Sequence, residues 1–116
     1  MFDKGYYCES TLGTNLPFSH RLWKHEMFLP ITTIGKFSNL DEAMNIANEV
    51  NYGLTAGFYG SAEETEWFFD KIEAGVTYAN HPQGATTGAW PGFQPFGGWK
   101  GSGSSGKNAG GHYYLP

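Results

Sequence analysis

The sequence has one cysteine, few basic residues and no long hydrophobic run. The single cysteine, Cys8, excludes an internal disulfide framework and is typical of a reducing compartment. Seven basic against eleven acidic residues leave a net charge of −4, so we expect no nucleic-acid partner. No apolar stretch approaches the ~20 residues of a membrane span, and the first residues lack the layout of a signal peptide. We therefore expect a cytoplasmic protein with no membrane partner.

A length of 116 residues predicts a single domain over 1–116, and the pattern of its segments predicts the α/β class. Residues typical of strands occupy four segments, 5–12, 31–37, 54–59 and 76–79. Two helix starts lie between them, with Asn39 and Ser61 as capping residues and a Glu three positions after each. The second helix should turn three apolar side chains inward: Trp67, Phe68 and Ile72. Alternating strands and helices of these lengths predict a small parallel sheet with crossover helices.

Residues 86–103 combine glycine and proline with aromatic rings. The stretch is too rich in Gly and Pro for a helix or strand, and too aromatic for a disordered linker. We predict a long, ordered Gly-rich loop over residues 80–111 that presents backbone groups and rings to a ligand. It leaves the carboxyl end of a predicted parallel strand, where ligands of such sheets bind.

Several short motifs do not support the chemistry that they suggest. Residues 101–106 spell G-x-G-x-x-G, but no strand leads into them and no helix start follows, so a phosphate-binding loop is not favoured. Asn108 stands where a Walker loop needs Ser or Thr. His25 and Glu26 lack the second histidine of a zinc-protease helix, and we expect no bound metal. Cys8 is expected to be an inert, half-buried thiol within the first strand.

Glu26 stands apart from the other carboxylates. It lies in a predicted turn before Pro30, close to Phe28 and to the start of a strand. A carboxylate there could accept hydrogen bonds from a sugar diol, or it could be a solvated loop residue. The other acidic residues fit helix starts and solvated faces.

A set of motifs, in order along the chain, resembles the aldehyde dehydrogenase family. Residues 26–30 (Glu-Met-Phe-Leu-Pro) resemble its Glu-x-Phe-Gly-Pro, with Leu29 in place of the usual Gly. Residues 52–57 (Tyr-Gly-Leu-Thr-Ala-Gly) are similar to the segment that follows, and residues 95–103 (Pro-Phe-Gly-Gly-Trp-Lys-Gly-Ser-Gly) resemble its Pro-Phe-Gly-Gly-x-Lys-x-Ser-Gly. Residues 87–89 with 94–98 most resemble the 1-pyrroline-5-carboxylate (glutamate semialdehyde) dehydrogenase branch.

The resemblance implies roles for five residues. Glu26 would hold the nicotinamide ribose of NAD or NADP, and Phe28 would pack beside the nicotinamide ring. Gly88 and Ala89 would offer backbone N–H groups to the carboxylate of an amino-acid substrate, and Phe96 would line the aldehyde tunnel. We expect no catalytic residue in this chain, and no cofactor bound by it alone.

In the family, the cofactor domain, the general-base glutamate and the nucleophilic cysteine all precede the Glu-x-Phe motif. The chain therefore resembles the C-terminal part of the catalytic domain, shortened at both ends. Three hypotheses follow: a fragment or remnant that is inactive alone, one chain of a split enzyme whose partner chain carries the upstream domain, or a non-catalytic self-assembling or binding module. Missing neighbours would leave apolar faces exposed, so we expect a homo-oligomer.

Overall fold

In the computed structural model, residues 4–81 and 97–103 are described. Two helices and six short strands form an α/β arrangement, which confirms the predicted fold class. The chain runs through β1 (Thr11–Thr14), a 3-10 turn (Arg21–Trp23), β2 (Ile31–Ile34), α1 (Leu40–Asn48), β3 (Tyr52–Gly53), β4 (Thr55–Phe58), α2 (Ala62–Lys71), β5 (Val76–Ala79) and β6 (Trp99–Lys100). No helix within these residues is long and apolar enough to cross a membrane.

Within the described residues, the strands form three separate pairs, two of them parallel. Strands β1 and β2 are parallel, as are β4 and β5, while β3 and β6 are antiparallel. The β4–α2–β5 unit is the predicted crossover. Helix α1 instead leads from β2 of one parallel pair to β3 of the antiparallel pair. Sequence pattern locates strands but does not say which edges pair.

The first strand begins at Thr11, six residues later than predicted. Its register with β2 starts at the pair Thr11–Ile31. The Thr11 N–H donates to the Pro30 carbonyl oxygen at 2.9 Å. Pro30 has no N–H to continue the ladder, so the pairing begins here. Residues 5–10 have β-forming side chains but lie outside any strand.

Both helices begin at the predicted capping residues. The Asn39 side chain accepts from the Glu42 N–H at 2.8 Å, and the Glu42 carboxylate accepts from the Ser38 N–H at 2.9 Å. At α2, the Ser61 Oγ accepts from the Glu64 N–H and the Glu64 carboxylate accepts from the Ser61 N–H, a complete capping box. Each cap satisfies N–H groups that a helix start leaves without partners.

The capping box gives α2 a dependence on pH. The backbone N–H and then the side chain of Ser61 stabilise the ionised carboxylate, and they lower the pKa of Glu64 from its ordinary value of 4.5. A lowered folded-state pKa means that this stabilisation is fully present above about 4.5 and is lost as pH falls through the folded value. We expect the Glu64→Gln variant to lose less stability than the wild type between pH 7 and pH 3. Urea unfolding at both pH values tests this, with Glu63→Gln as control. An unchanged pH dependence would contradict the prediction.

The core lies where α1 and α2 meet β4. Met44, Phe68 and Ile72 form a buried cluster, against which Phe58 and Trp67 pack from the side. The Phe58 and Phe68 rings are stacked, with centroids 5.1 Å apart. Phe68 and Ile72 are thus inward as predicted, while Trp67 is only partly buried.

Candidate functional site

The turn before β2 carries both predicted cofactor-binding side chains. It begins at the 3-10 turn, where the His25 N–H donates to the Arg21 carbonyl at 2.8 Å, and it ends where the Ile31 N–H donates to the Leu29 carbonyl at 2.7 Å. Glu26 and Phe28 are both exposed, Phe28 at 90% of its full accessibility. Two side chains separated by one residue are therefore open to a ligand on the same turn.

Phe28 has a backbone φ of 49°, in the left-handed region. A bulky residue rarely adopts this conformation, which costs about 1–3 kcal/mol. Strain of this kind concentrates at ligand-binding and active sites, where the surrounding structure holds it. Phe28 thus combines an exposed ring with a left-handed backbone, and the binding role of this turn stays a prediction.

The three predicted substrate-binding residues, Gly88, Ala89 and Phe96, lie outside the described residues, as does most of the predicted loop over 80–111. The structure describes the two points at which the chain enters and leaves that segment. These are Asn80 and His81 after β5, and Gly97 before β6.

The entry point is held by the side chain of Asn80. Its amide accepts from the Gly60 N–H at 3.1 Å and donates to the Gly60 carbonyl at 3.0 Å, while its own N–H donates to the Phe58 carbonyl at 2.8 Å. Asn80 takes a φ of 53°, which asparagine tolerates better than most residues. The Tyr59 hydroxyl donates to the His81 carbonyl next to it. These bonds fix the direction in which the chain leaves β5.

The exit point is held by strand pairing. Trp99 and Lys100 form β6 and pair with Gly53 and Tyr52 of β3. A two-residue strand inside the Gly-rich stretch corrects the expectation that it holds no strand. The Gly53 N–H also donates to the Ser102 Oγ at 3.1 Å. A strand of only two residues depends on its partner, β3, which lies far away along the chain. Local composition therefore does not reveal it.

Glycines allow the backbone segments around β3 to approach each other closely. A Cβ at Gly53 would overlap the Glu73 carbonyl oxygen, and a Cβ at Gly75 would overlap the Gly97 carbonyl oxygen. The Gly75 N–H donates to the Gly53 carbonyl at 3.0 Å. Three backbone segments are therefore in direct contact here, and no side chain fits between them.

Lys100 and Asn48 take part in this arrangement, although sequence reasoning gave them no role. The Lys100 Nζ lies 2.6 Å from a Glu73 carboxylate oxygen and also donates to the Asn48 carbonyl. The Asn48 side chain donates to the Lys71 carbonyl at 2.9 Å and accepts from the Glu73 N–H at 3.0 Å. The motif over 95–103 contained Lys100, but nothing in the sequence indicated its partners.

Cys8 is exposed and lies outside any strand, so the expectation of a half-buried thiol within a strand was wrong. The strand starts later because its pairing with β2 begins at Thr11, after the proline at position 30. Among residues 4–81 and 97–103, no three His, Cys, Asp or Glu side chains are grouped as metal ligands would be.

The sequence matches the family model described as "Aldehyde dehydrogenase family" over residues 1–115. It is 38% identical over 114 residues to 1-pyrroline-5-carboxylate dehydrogenase of Bacillus licheniformis, covering 97% of this chain and 21% of that protein. It is also 38% identical over 104 residues to 2,5-dioxopentanoate dehydrogenase of Saccharolobus solfataricus, covering 88% of this chain and 21% of that protein.

A solved 1-pyrroline-5-carboxylate dehydrogenase from Thermus, with bound NAD, has a similar structure. Its TM-score is 0.69 at 36% identity, covering 77% of this chain and 17% of that one. The 116 residues thus span about one fifth of the length of the curated relatives that they match. The match over residues 1–115, together with these similarities in sequence and fold, shows that the chain belongs to the aldehyde dehydrogenase family.

Proposed function

We propose that these residues form one wall of the pocket of an NAD(P)-dependent aldehyde dehydrogenase that acts on glutamate semialdehyde, the open form of 1-pyrroline-5-carboxylate. The observation that carries the proposal is the exposed pair Glu26 and Phe28 on a strained turn, in a chain 38% identical to such an enzyme. The carboxylate would accept from the ribose hydroxyls, and the ring would lie against the nicotinamide. Gly88, Ala89 and Phe96 would contact the substrate.

The proposed pocket suits oxidation of an aldehyde to an acid. Glu26 and Phe28 would hold the nicotinamide cofactor, which would supply the hydride acceptor for the oxidation. The reaction also needs a thiolate that attacks the aldehyde and a base that activates water for release of the acid. Cys8 is exposed and far along the chain from the loop residues, so we assign it neither role. We propose that the 116 residues alone are inactive and bind no cofactor, and that the thiol and the base come from elsewhere.

A complementation assay tests the proposal. The purified chain is combined with the Bacillus licheniformis relative from which the matching 21% has been removed. We expect no NAD-dependent oxidation of glutamate semialdehyde by either part, and activity when both are present. Turnover by the 116-residue chain alone that is lost in Cys8→Ser would contradict the proposed inactivity.

Glu26→Gln in the complemented enzyme should raise the KM for NAD. A hydrogen bond to a charged group contributes about 1.5–3 kcal/mol, which corresponds to a roughly 10- to 100-fold effect. Glu66→Gln is the matched control, because Glu66 is an exposed carboxylate within α2. Equal KM values for the two variants would exclude Glu26 as a cofactor ligand.

The 38% identity to 2,5-dioxopentanoate dehydrogenase favours a second candidate substrate. Glutamate semialdehyde and 2,5-dioxopentanoate are both five-carbon acids with an aldehyde at the end opposite the carboxylate. They differ at the second carbon, which carries an amine in one and a ketone in the other. The ratio of kcat/KM for the two compounds in the complemented enzyme would decide between them.

The alternatives of a split enzyme and of a non-catalytic self-assembling or binding module stay open as proposals. We propose that the chain self-associates, because many of its large apolar side chains are exposed, among them Leu12, Ile34 and Phe37. Sedimentation at micromolar concentration tests this, and a monodisperse monomer would contradict it. The cytoplasmic location stays a prediction, which cell fractionation would test.

A further inference from the structure

Lys100 is the most enclosed of the lysines that form ion pairs in residues 4–81 and 97–103. Its side chain is 24% exposed, against 48% for Lys24, which pairs with Glu49, and 50% for Lys71, which pairs with Asp41. An ion pair that is partly withdrawn from water is less screened than a surface pair. The contact between Lys100 and Glu73 is therefore the one of the three most able to hold two segments together.

The partners of Lys100 lie at the C-terminal ends of both helices. Asn48 is the last residue of α1, and Glu73 follows the end of α2 by two residues. The carbonyl groups of a final helical turn lack partners within the helix and carry a partial negative charge. An ammonium group donates three hydrogen bonds and accepts none. It therefore fits between the Asn48 carbonyl and the Glu73 carboxylate.

The backbone of Lys100 adopts an unfavourable conformation. Its φ is 55°, a left-handed value that glycine would take without steric cost. The glycine of this turn is the next residue, Gly101, so it does not relieve the strain at Lys100. A lysine persists in such a conformation only where the surroundings hold it there. The pairing of Lys100 with Tyr52 in β3 holds its backbone. The contacts with Asn48 and Glu73 hold its side chain.

We propose that Lys100 is a positioning residue: its ammonium group ties β6 and the following turn to the ends of α1 and α2. The tie fixes Gly97, the residue at which the described chain resumes after the segment with the predicted substrate contacts. Lys100 thereby sets where that segment ends. Its effect on substrate rests on the proposed function, whereas the tie itself does not.

Amide hydrogen exchange of the full 116-residue chain tests the tie. In Lys100→Met, the amides of Gly53 and Gly101, which donate to Ser102 and Asn51, should exchange roughly tenfold faster or more. The Val76 amide, which donates to Leu54 in the neighbouring β4–β5 pair, should change less than about twofold. Equal acceleration at all three amides, or none, would overturn the proposal.

Three further variants separate the tie from backbone strain and from general stability. Lys24→Met removes an ion pair of the same 2.6 Å length and should leave the Gly53 and Gly101 amides unchanged. Lys100→Gly relieves the left-handed strain but removes the ammonium group, so it should still accelerate exchange at both amides. Protection equal to or greater than that of the wild type would overturn the proposal. Glu73→Gln removes the ion pair but keeps the Asn48 contact, so it should accelerate exchange at the same two amides by a smaller factor, and it keeps the test available if Lys100→Met does not fold.

The consequence for substrate is measured in the complemented enzyme. Lys100→Met should raise the KM for the aldehyde at least about tenfold and leave the KM for NAD within about twofold, and Lys100→Arg should restore the wild-type value. Equal changes in both KM values would overturn the positioning role. If wild-type complementation gives no activity, the proposed function fails, while hydrogen exchange still decides whether Lys100 forms the tie.

Discussion

Replacing Phe68 by alanine should lower the free energy of unfolding by about 3–5 kcal/mol. Phe68 is 4% exposed, stacks on Phe58, and packs against Met44 and Ile72. Truncation removes this apolar contact and leaves a cavity that short strands and two helices can only partly close. Domains have a total stability of about 5–15 kcal/mol, and at the lower end of this range the loss would leave a substantial fraction of the chain unfolded.

Urea unfolding followed by far-ultraviolet circular dichroism measures the loss. Phe69→Ala is the matched control, because Phe69 is the next residue on the same helix and is 46% exposed. It should cost less than about 1 kcal/mol. If the two variants lose the same stability, the core does not lie between α1, α2 and β4 as described.

Replacing Gly75 by alanine should cost about 3 kcal/mol or more, at the upper end of the effects of overpacking. The new Cβ would overlap the backbone of Gly97, and backbone atoms cannot rotate away as the end of a side chain can. Gly75 is also held on the side away from Gly97, because its N–H donates to the Gly53 carbonyl. The substitution must therefore separate β3 from the segment that precedes β6.

Gly57→Ala is the control for Gly75→Ala. Gly57 lies within β4, and a Cβ there would meet no atom within 4 Å. Alanine restricts the unfolded chain more than glycine does, so this change should be neutral or stabilise by about 0.4–1 kcal/mol. Thermal unfolding of both variants gives the comparison. A Gly75→Ala protein as stable as Gly57→Ala would show that Gly75 and Gly97 are not in contact.

The helices could be predicted from the sequence because their signals are local. Asn39 and Ser61 are followed within four residues by the groups that they cap, and an apolar stripe continues from each. The parallel pairing of β4 and β5 could also be predicted, because the two strands and the helix α2 between them lie within one short segment of the chain. The partner of β2 could not be predicted, since its pairing with β1 depends on a register that starts at the pair Thr11–Ile31 and on the bond from Thr11 to Pro30.

The binding roles of the candidate-site residues stay predictions, and the structure shows only where two of these residues lie. The resemblance to a known family gave Glu26 and Phe28, and the structure places both on one exposed turn. The left-handed backbone of Phe28 could not be predicted, because bulky residues rarely adopt positive φ. The contacts of Lys100 join three elements far apart in the chain, and no periodic pattern encodes such a meeting.

The long separation between β3 and β6 has a consequence for the order of folding. The bonds between Gly60 and Asn80 span 20 positions, whereas that between Gly53 and Ser102 spans 49. The entropic cost of closing a loop rises with its length, so local pairings tend to form before distant ones. The β4–α2–β5 unit should therefore assemble first and accept β6 afterwards, as the last strand added to a partly folded nucleus.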